Sequence, residues 1–161
     1  MVVLECHSAR APLIRGYAPV KIVDLDSSVA DPIFMQHSRN KSSRADCFIV
    51  YSDMTAIMEL KSSYPEKAIP QLNNTASILK QNRSSFLTAF LLPGDTLFPS
   101  AYYFIVEKGI GSGRFEVVNG VLRERSRAGK GRGPVQTVNG IPINVYSSAQ
   151  IQNEYSLYGV K

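Results

Sequence analysis

The residues of this chain that are best placed to do chemistry are two carboxylates and one amine, Asp46, Glu59 and Lys61. Asp46 begins one apolar run, and Glu59 and Lys61 end a second one, with a short polar turn between the two runs. This pattern predicts a β-hairpin or two neighbouring strands. Side chains alternate between the faces of a strand, so Glu59 and Lys61 are expected on one face and Leu60 on the other. We therefore expect the two carboxylates and the amine to converge at one end of a small sheet.

This set of groups suits the metal-dependent cleavage of phosphodiester bonds. Hard divalent cations such as Mg²⁺ prefer oxygen ligands and keep several of their waters. Asp46 and Glu59 would hold Mg²⁺ or Mn²⁺ with help from the backbone carbonyl of Leu60, and the ion would polarise the phosphate and generate hydroxide near neutral pH. Lys61 would orient the attacking water or stabilise the charge that develops on the phosphate.

The tripeptide Glu59-Leu60-Lys61 is weak support by itself, because an acid two residues before a lysine is common by chance. Its context strengthens the prediction, since it ends an apolar strand that follows another strand beginning with an acid. The alternative is a solvated strand end, in which Glu59 and Lys61 form an ordinary ion pair.

Residues 43–50 and 57–62 resemble the PD-(D/E)XK nuclease superfamily, in particular small members such as the archaeal Holliday-junction resolvases and the RecB-like nucleases. The resemblance covers about residues 37–82. It implies Asp46 and Glu59 as metal ligands and Lys61 as the catalytic amine. In that family a helix after the Glu-x-Lys strand often carries a glutamine that faces the site, and Gln71 has a matching position, one turn after Lys67.

Many relatives use a further acid, and its source in this chain stays open. Some related viral RNA endonucleases use an upstream histidine as a ligand, a position that His37 would match, although an ordinary loop histidine is the alternative. The acids upstream of the hairpin that could serve are Glu5, Asp24, Asp26 and Asp31.

The basic residues predict a polyanionic partner. The chain has a formal net charge of +5 and a pI of about 9.3. Arginine and lysine spaced by glycine can follow a phosphate backbone, although a solvated loop is the alternative. The candidate nucleic-acid-binding residues are Lys41, Arg44, Lys67, Arg123, Arg125, Arg127, Lys130 and Arg132.

Periodicity predicts the elements around this hairpin. Apolar positions three and four apart predict a helix over 68–82, and the two Asn-Gly pairs at 119–120 and 139–140 predict β-hairpins. The pattern over 26–36 is ambiguous: residues 26–28 could cap a short helix, which Pro32 would then end or kink early. Strands are expected over 1–6, 17–25 and 101–107, strand or helix over 86–92, and a short helix or an irregular tail over 148–158.

These elements predict an α+β fold, with a restriction-endonuclease-like mixed sheet, flanking helices and additional C-terminal β-hairpins. A length of 161 residues with 44% apolar residues fits one domain over 1–161. Its catalytic core would span about 37–107 and its β-rich part about 108–161.

The two cysteines predict neither a disulfide framework nor a zinc site, and Cys47 is expected to be a small buried apolar residue. No apolar run is long enough to span a membrane, and the first residues lack the basic leader of a signal peptide. A cytoplasmic protein without a membrane partner is therefore expected.

The sequence thus predicts a Mg²⁺- or Mn²⁺-dependent nuclease, an endonuclease for preference, with DNA ahead of RNA as substrate. One alternative is a non-catalytic module that binds nucleic acid or an acidic protein through its basic loops. Another is an interaction protein built on the C-terminal strands, which could form a homodimer through an exposed strand edge.

Overall fold

The computed structural model describes residues 4–35, 44–60, 64–107, 109–110, 113–126 and 133–160. Ten strands and four helices lie in this described part of the chain. The strands are β1 (Glu5–Cys6), β2 (Ala9–Arg10), β3 (Lys21–Asp24), β4 (Cys47–Val50), β5 (Thr55–Leu60), β6 (Ala101–Val106), β7 (Phe115–Val118), β8 (Val121–Glu124), β9 (Thr137–Val138) and β10 (Ile141–Ser147). The helices are α1 (Asp31–Phe34), α2 (Pro65–Gln81), α3 (Arg83–Ala89) and α4 (Ser148–Leu157).

One mixed sheet has the strand order β3-β4-β5-β6-β10-β8-β7, and β9 pairs with β10 beside it. β4 is antiparallel to both β3 and β5, whereas β5, β6 and β10 are parallel to one another. The parallel step from β5 to β6 requires a crossover connection, which α2 and α3 supply. Consequently the beginning of β4 and the ends of β5, β6 and β10 lie at the same end of the sheet.

Both faces of the sheet are covered. Phe48 and Ile57 pack on one face against Leu72 of α2. Met58 packs on the other face, in a cluster with Ile151 of α4. Every residue of β5 is buried, because apolar side chains pack against both faces of this strand.

The predicted helix over 68–82 is confirmed as α2, although it begins earlier, at Pro65. Proline suits the first turn because its nitrogen carries no hydrogen, so Pro65 takes the position that we expected for Pro70. Asn82 ends α2, and α3 begins at the next residue. Residues 86–92, for which the sequence predicted either a strand or a helix, are therefore helical over most of their length.

Two expectations upstream of the hairpin need correction. The short helix is α1, Asp31–Phe34, and Pro32 stands in its first turn rather than ending it. The strand expected over 17–25 is limited to β3, because Ile14 and Tyr17 close a tight turn ahead of it.

Both Asn-Gly hairpins are confirmed. The φ angles are 52° and 76° at Asn119 and Gly120, and 51° and 78° at Asn139 and Gly140. Positive φ at both central positions is what a two-residue type I′ turn requires, and asparagine followed by glycine adopts it at the least cost. The two hairpins place β8 and β10 side by side.

The α+β fold class is confirmed: a mixed multi-stranded sheet with flanking helices and additional C-terminal hairpins. β10 joins the two parts of the chain because it pairs with β6 on one side and with β8 on the other. The strands after residue 108 therefore extend the same sheet that carries the predicted catalytic hairpin.

Candidate metal centre

Asp46 is held from three sides at the beginning of β4. The Leu25 N–H donates to the Asp46 backbone carbonyl at 2.9 Å, and the Leu60 N–H donates to the Asp46 Oδ2 at 2.8 Å. One residue earlier, the Ala45 N–H donates to the Oγ1 of Thr75 on α2, at 2.6 Å. Contacts from β3, β5 and α2 thus fix this carboxylate at the end of the sheet.

Glu59 reaches the same point from β5, as the alternation of side chains predicts. Its neighbours in the strand pack on opposite faces, with Ile57 on the α2 face and Met58 on the α4 face. Glu59 therefore shares the α2 face with Ile57, and Asp46 shares it with Phe48. The structure brings the two predicted carboxylates together.

The Glu59 carboxyl lies in an unusual environment. The residue is 5% exposed, and its Oε2 has no hydrogen-bond partner among the described residues. Burial, a shared hydrogen bond with Asp46 and repulsion from the Asp46 charge raise the pKa of Glu59 from 4.5 to about 10. Without a cation nearby, this carboxyl therefore holds a proton at neutral pH.

Asp26 supplies a third carboxyl group. It follows β3, and its N–H donates to the Asp24 Oδ1 at 2.9 Å, which forms a local turn. Burial and a shared hydrogen bond with Asp46 raise the pKa of Asp26 to about 6. Among the acids that the sequence left open, the structure therefore brings Asp26 into contact with Asp46.

His7 completes the group from the β1–β2 hairpin. One of its ring nitrogens and carboxylate oxygens of Asp26 and Asp46 all lie within 4.8 Å of one another. The His7 Nε2 is 2.9 Å from the Asp24 Oδ1 and 3.8 Å from the Asp26 Oδ2. We call His7, Asp26, Asp46 and Glu59 the acid–histidine cluster.

His7 was not among the site residues predicted from the sequence. The residue is 39 positions from Asp46, and no spacing rule joins a turn near the start of the chain to this hairpin. Its only sequence signal was the scarcity of histidine, since the chain has two. The other one, His37, lies outside the described residues.

The other three acids that the sequence offered as a further metal ligand have other contacts. Asp24 accepts hydrogen bonds from His7 and from the Asp26 N–H, so it orients two members of the cluster. Asp31 pairs with Arg44 at 3.0 Å. Glu5 is exposed on β1, where it lines a cleft with Ser8 and Arg10.

Arg44 needs correction as a nucleic-acid-binding residue. It is 2% exposed, its guanidinium donates to the Leu25 carbonyl and to Asp31, and it lies over the Phe34 ring. A guanidinium enclosed in this way cannot reach a phosphate. Arg44 instead fastens α1 to the end of β3.

The expectation about the cysteines is wrong in one respect. Cys47 is fully buried, as expected, but it forms a disulfide with Cys6. β1 lies beside β3, and β3 pairs with β4, so the fold brings together two cysteines that are 41 residues apart. This pairing is tertiary, and nothing in the local sequence around either cysteine predicts it.

Most of the other predicted site residues lie on α2, in β5 or outside the described residues. Gln71 is half-buried and Lys67 is exposed, both on α2. The part of Leu60 that contacts the cluster is its N–H, which donates to Asp46. The predicted residues Lys41, Lys61, Arg127, Lys130 and Arg132 lie outside the described residues.

Arg123 and Arg125 lie on the far side of the sheet. Arg123 belongs to β8 and donates to the Gly133 carbonyl, whereas Arg125 just after it donates to the Phe115 carbonyl. Four strand spacings, roughly 19 Å, separate β8 from β4. These two arginines therefore do not belong to the immediate surroundings of the acid–histidine cluster.

Comparisons of this chain with protein-family models, with curated proteins and with solved structures find no match. Across the described ranges, the helices are too short or too polar to cross a membrane.

Proposed function

We propose that this protein is a metal-dependent nuclease whose metal site is the acid–histidine cluster. The observation that carries the proposal is the convergence of Asp46 and Glu59. The Glu59 Oε2 is buried beside a second carboxyl group and has no partner within the described part of the chain. Burying a carboxyl oxygen without a partner is costly, and a cation is the partner that would satisfy it. The resemblance of residues 43–50 and 57–62 to the PD-(D/E)XK superfamily supports the same proposal.

The donor atoms fit a divalent cation. Three carboxyl groups supply the oxygen ligands that Mg²⁺ and Mn²⁺ prefer, and the imidazole of His7 favours Mn²⁺ over Mg²⁺. Such an ion, when bound, supplies Lewis acidity toward a phosphodiester and lowers the pKa of a coordinated water. Asp46 and Glu59 would hold it, with Asp26 and His7 as the further ligands.

The residues around the cluster would set its protonation and orientation. The Leu60 N–H donates to one oxygen of Asp46, and the same carboxyl group shares hydrogen bonds with Asp26 and Glu59. Metal binding must displace the proton that Glu59 holds, so affinity for the cation should rise with pH. Lys61 follows Leu60 directly and keeps its proposed role toward the attacking water, and Gln71 keeps its proposed place beside the site.

Nucleic acid is the proposed substrate, with DNA ahead of RNA. The net charge of +5 favours a polyanion. Lys67 is exposed on α2, the helix that packs on the face of the sheet carrying Glu59. Phosphate contacts would come from Lys67 and from the basic residues that the structure does not describe, whereas a homodimer stays a further proposal.

Metal binding and cleavage together test the function. We would titrate Mn²⁺ into wild type, Asp46→Asn and Glu59→Gln by calorimetry and assay each on single- and double-stranded DNA and on RNA. Asparagine at position 46 keeps an oxygen acceptor for the Leu60 N–H, so the fold should survive. The matched control is Asp53→Asn, because Asp53 is an exposed acid in the turn of the same hairpin.

We expect one Mn²⁺ site and metal-dependent cleavage in wild type and in Asp53→Asn. In the other two variants, cleavage should fall to the metal-free background. If Glu59→Gln binds Mn²⁺ and cleaves as well as wild type, the proposal is wrong. If wild type binds nucleic acid but neither Mn²⁺ nor Mg²⁺, the non-catalytic binding module replaces it.

The cytoplasmic location also stays a proposal. Disulfides are rare in cytosolic proteins because thiol-reducing systems keep cysteines reduced there. The Cys6–Cys47 bond therefore weighs against a permanently reducing compartment, or it marks a bond that changes state.

A further inference from the structure

We propose that the Cys6–Cys47 disulfide is a redox-sensitive tether that positions His7 in the acid–histidine cluster, so that reduction weakens metal binding. The inference rests on the proposed function, because it concerns the regulation of that same site. The disulfide would add a redox regulation of metal binding that the carboxylates alone do not provide.

The disulfide joins the direct neighbours of two members of the cluster. Cys6 precedes His7 in the chain, and Cys47 follows Asp46. Their Cα atoms are 6.2 Å apart. Cys47 is also the partner of Asp24 across the β3–β4 ladder, and Asp24 accepts the hydrogen bond from His7. A single covalent bond therefore fixes the histidine turn beside the carboxylates.

The hairpin that carries His7 cannot hold this position by itself. β1 and β2 have two residues each, and two-stranded hairpins are marginal in water even when they are longer. The turn between them has φ angles of 49° at His7 and 70° at Ser8. Positive φ costs free energy in residues other than glycine, so this turn needs support from outside the hairpin.

The last residue of the hairpin and the residues after it have anchors that do not involve sulfur. The Tyr155 hydroxyl donates to the Ala11 carbonyl at 2.8 Å, and the Tyr51 hydroxyl donates to the Pro12 carbonyl at 2.5 Å. Arg10 lies over the Tyr155 ring. Loss of the disulfide should therefore release the turn around His7 while the following residues stay attached to the core.

The redox step balances with a dithiol as reductant. The Cys6–Cys47 bond accepts two electrons and two protons, which yields two thiols, and the dithiol closes to its own disulfide. Cys6 is 1% exposed and Cys47 is fully buried, so the attacking thiolate needs the hairpin to open. His7 and Ser8 are exposed at the tip, which is where such opening would begin.

Mn²⁺ affinity tests the tether. We would titrate Mn²⁺ by calorimetry into oxidised protein and into protein reduced with a dithiol that is then removed without air. Losing support behind a metal ligand typically weakens affinity about 10- to 100-fold, and we expect a loss in that range on reduction. The double variant Cys6→Ala/Cys47→Ala should show the same weak binding in both conditions, which controls for other effects of the reductant.

The variant His7→Gln shows whether the disulfide acts through the histidine. If it does, His7→Gln weakens Mn²⁺ binding in the oxidised protein, and reduction then adds no further loss, because the two changes remove the same interaction. A purely structural disulfide would instead lower the affinity of wild type and of His7→Gln by the same factor, and that result would overturn the proposal.

Two further outcomes separate this proposal from the proposed function. Unchanged Mn²⁺ affinity on reduction, together with loss of binding in Asp46→Asn, would overturn the tether alone. Full Mn²⁺ binding by Asp46→Asn would overturn the metal site and the tether with it. If the alanine pair does not fold, reduced wild type and reduced His7→Gln still decide between these outcomes.

Discussion

Replacing Glu59 by glutamine should stabilise the metal-free protein and abolish its stabilisation by metal. The carboxyl is 5% exposed beside Asp46, and its pKa is about 10 in the folded chain against an ordinary value of 4.5. Between these two values the folded state holds a proton that the unfolded state has lost. Stability therefore falls as pH rises through this window.

The size of this stability change follows from the pH interval between the two pKa values of Glu59. At pH 7 the wild type loses up to about 3 kcal/mol relative to a side chain that does not ionise, since each pH unit above 4.5 contributes about 1.4 kcal/mol. Glutamine has the same shape, and its N–H can replace the carboxyl proton toward Asp46. For a chain of this length, 3 kcal/mol corresponds to a Tm increase of roughly 6–12 °C.

Thermal unfolding between pH 5.5 and 8.5, with EDTA or with MnCl₂, measures both parts of this prediction. In EDTA, wild type should lose stability as pH rises, and Asp26 adds to the loss up to about pH 6 because its pKa is raised as well. Glu59→Gln should show a flatter profile and a higher Tm at pH 8. Mn²⁺ at 100 times its Kd should add about 2.7 kcal/mol to wild type and nothing to the variant.

The exposed Asp53 provides the control, since Asp53→Asn should follow wild type in every condition. The prediction fails if metal-free Glu59→Gln is less stable than wild type at pH 8, because Glu59 would then be ionised and satisfied in the folded protein. It also fails if Mn²⁺ raises the Tm of wild type and of Glu59→Gln equally.

Two further predictions concern the supports of the cluster. Thr75→Val should destabilise the protein by about 1–3 kcal/mol, because the buried Ala45 N–H loses its acceptor, and Thr75→Ser should restore most of that loss in urea unfolding. Arg44→Met should cost about 3 kcal/mol, because it leaves Asp31 without its ion pair and the Leu25 carbonyl without its donor. Weaker DNA binding by folded Arg44→Met, measured by fluorescence anisotropy at fixed salt, would contradict the assignment of Arg44 to the core.

Local patterns were enough to predict most elements of this fold. The alternation around Glu59 predicted that Leu60 lies on the opposite face, and Leu60 packs with Met58 on the α4 face; the apolar spacing after Ile69 correctly predicted α2. Both Asn-Gly turns were also correct, because positive φ at two successive positions restricts the residues that can occupy them. Each of these predictions depends on residues that are close in the chain.

The predictions that failed depend on contacts between distant residues. Arg44 resembles a surface cation in sequence, and only its contacts with α1 and β3 show that it is buried. The Cys6–Cys47 pair and the place of His7 result from packing β1 beside β3. The prediction that Pro32 ends a helix failed for a different reason. Proline can end a helix or begin one, depending on where the preceding chain turns.

The structure also changes what the proposed site requires. From sequence, the uncertain part was a further acid to accompany Asp46 and Glu59. In the fold, three carboxyl groups already meet, and two of them have raised pKa values because they are buried and because negative charge accumulates there. What the described part of the cluster lacks is therefore a cation, and the turn that follows Cys6 brings a further possible ligand, the one described histidine, to that point. A cation that binds this cluster would relieve the repulsion among the carboxylates, which is why metal should stabilise the fold and not only activate it.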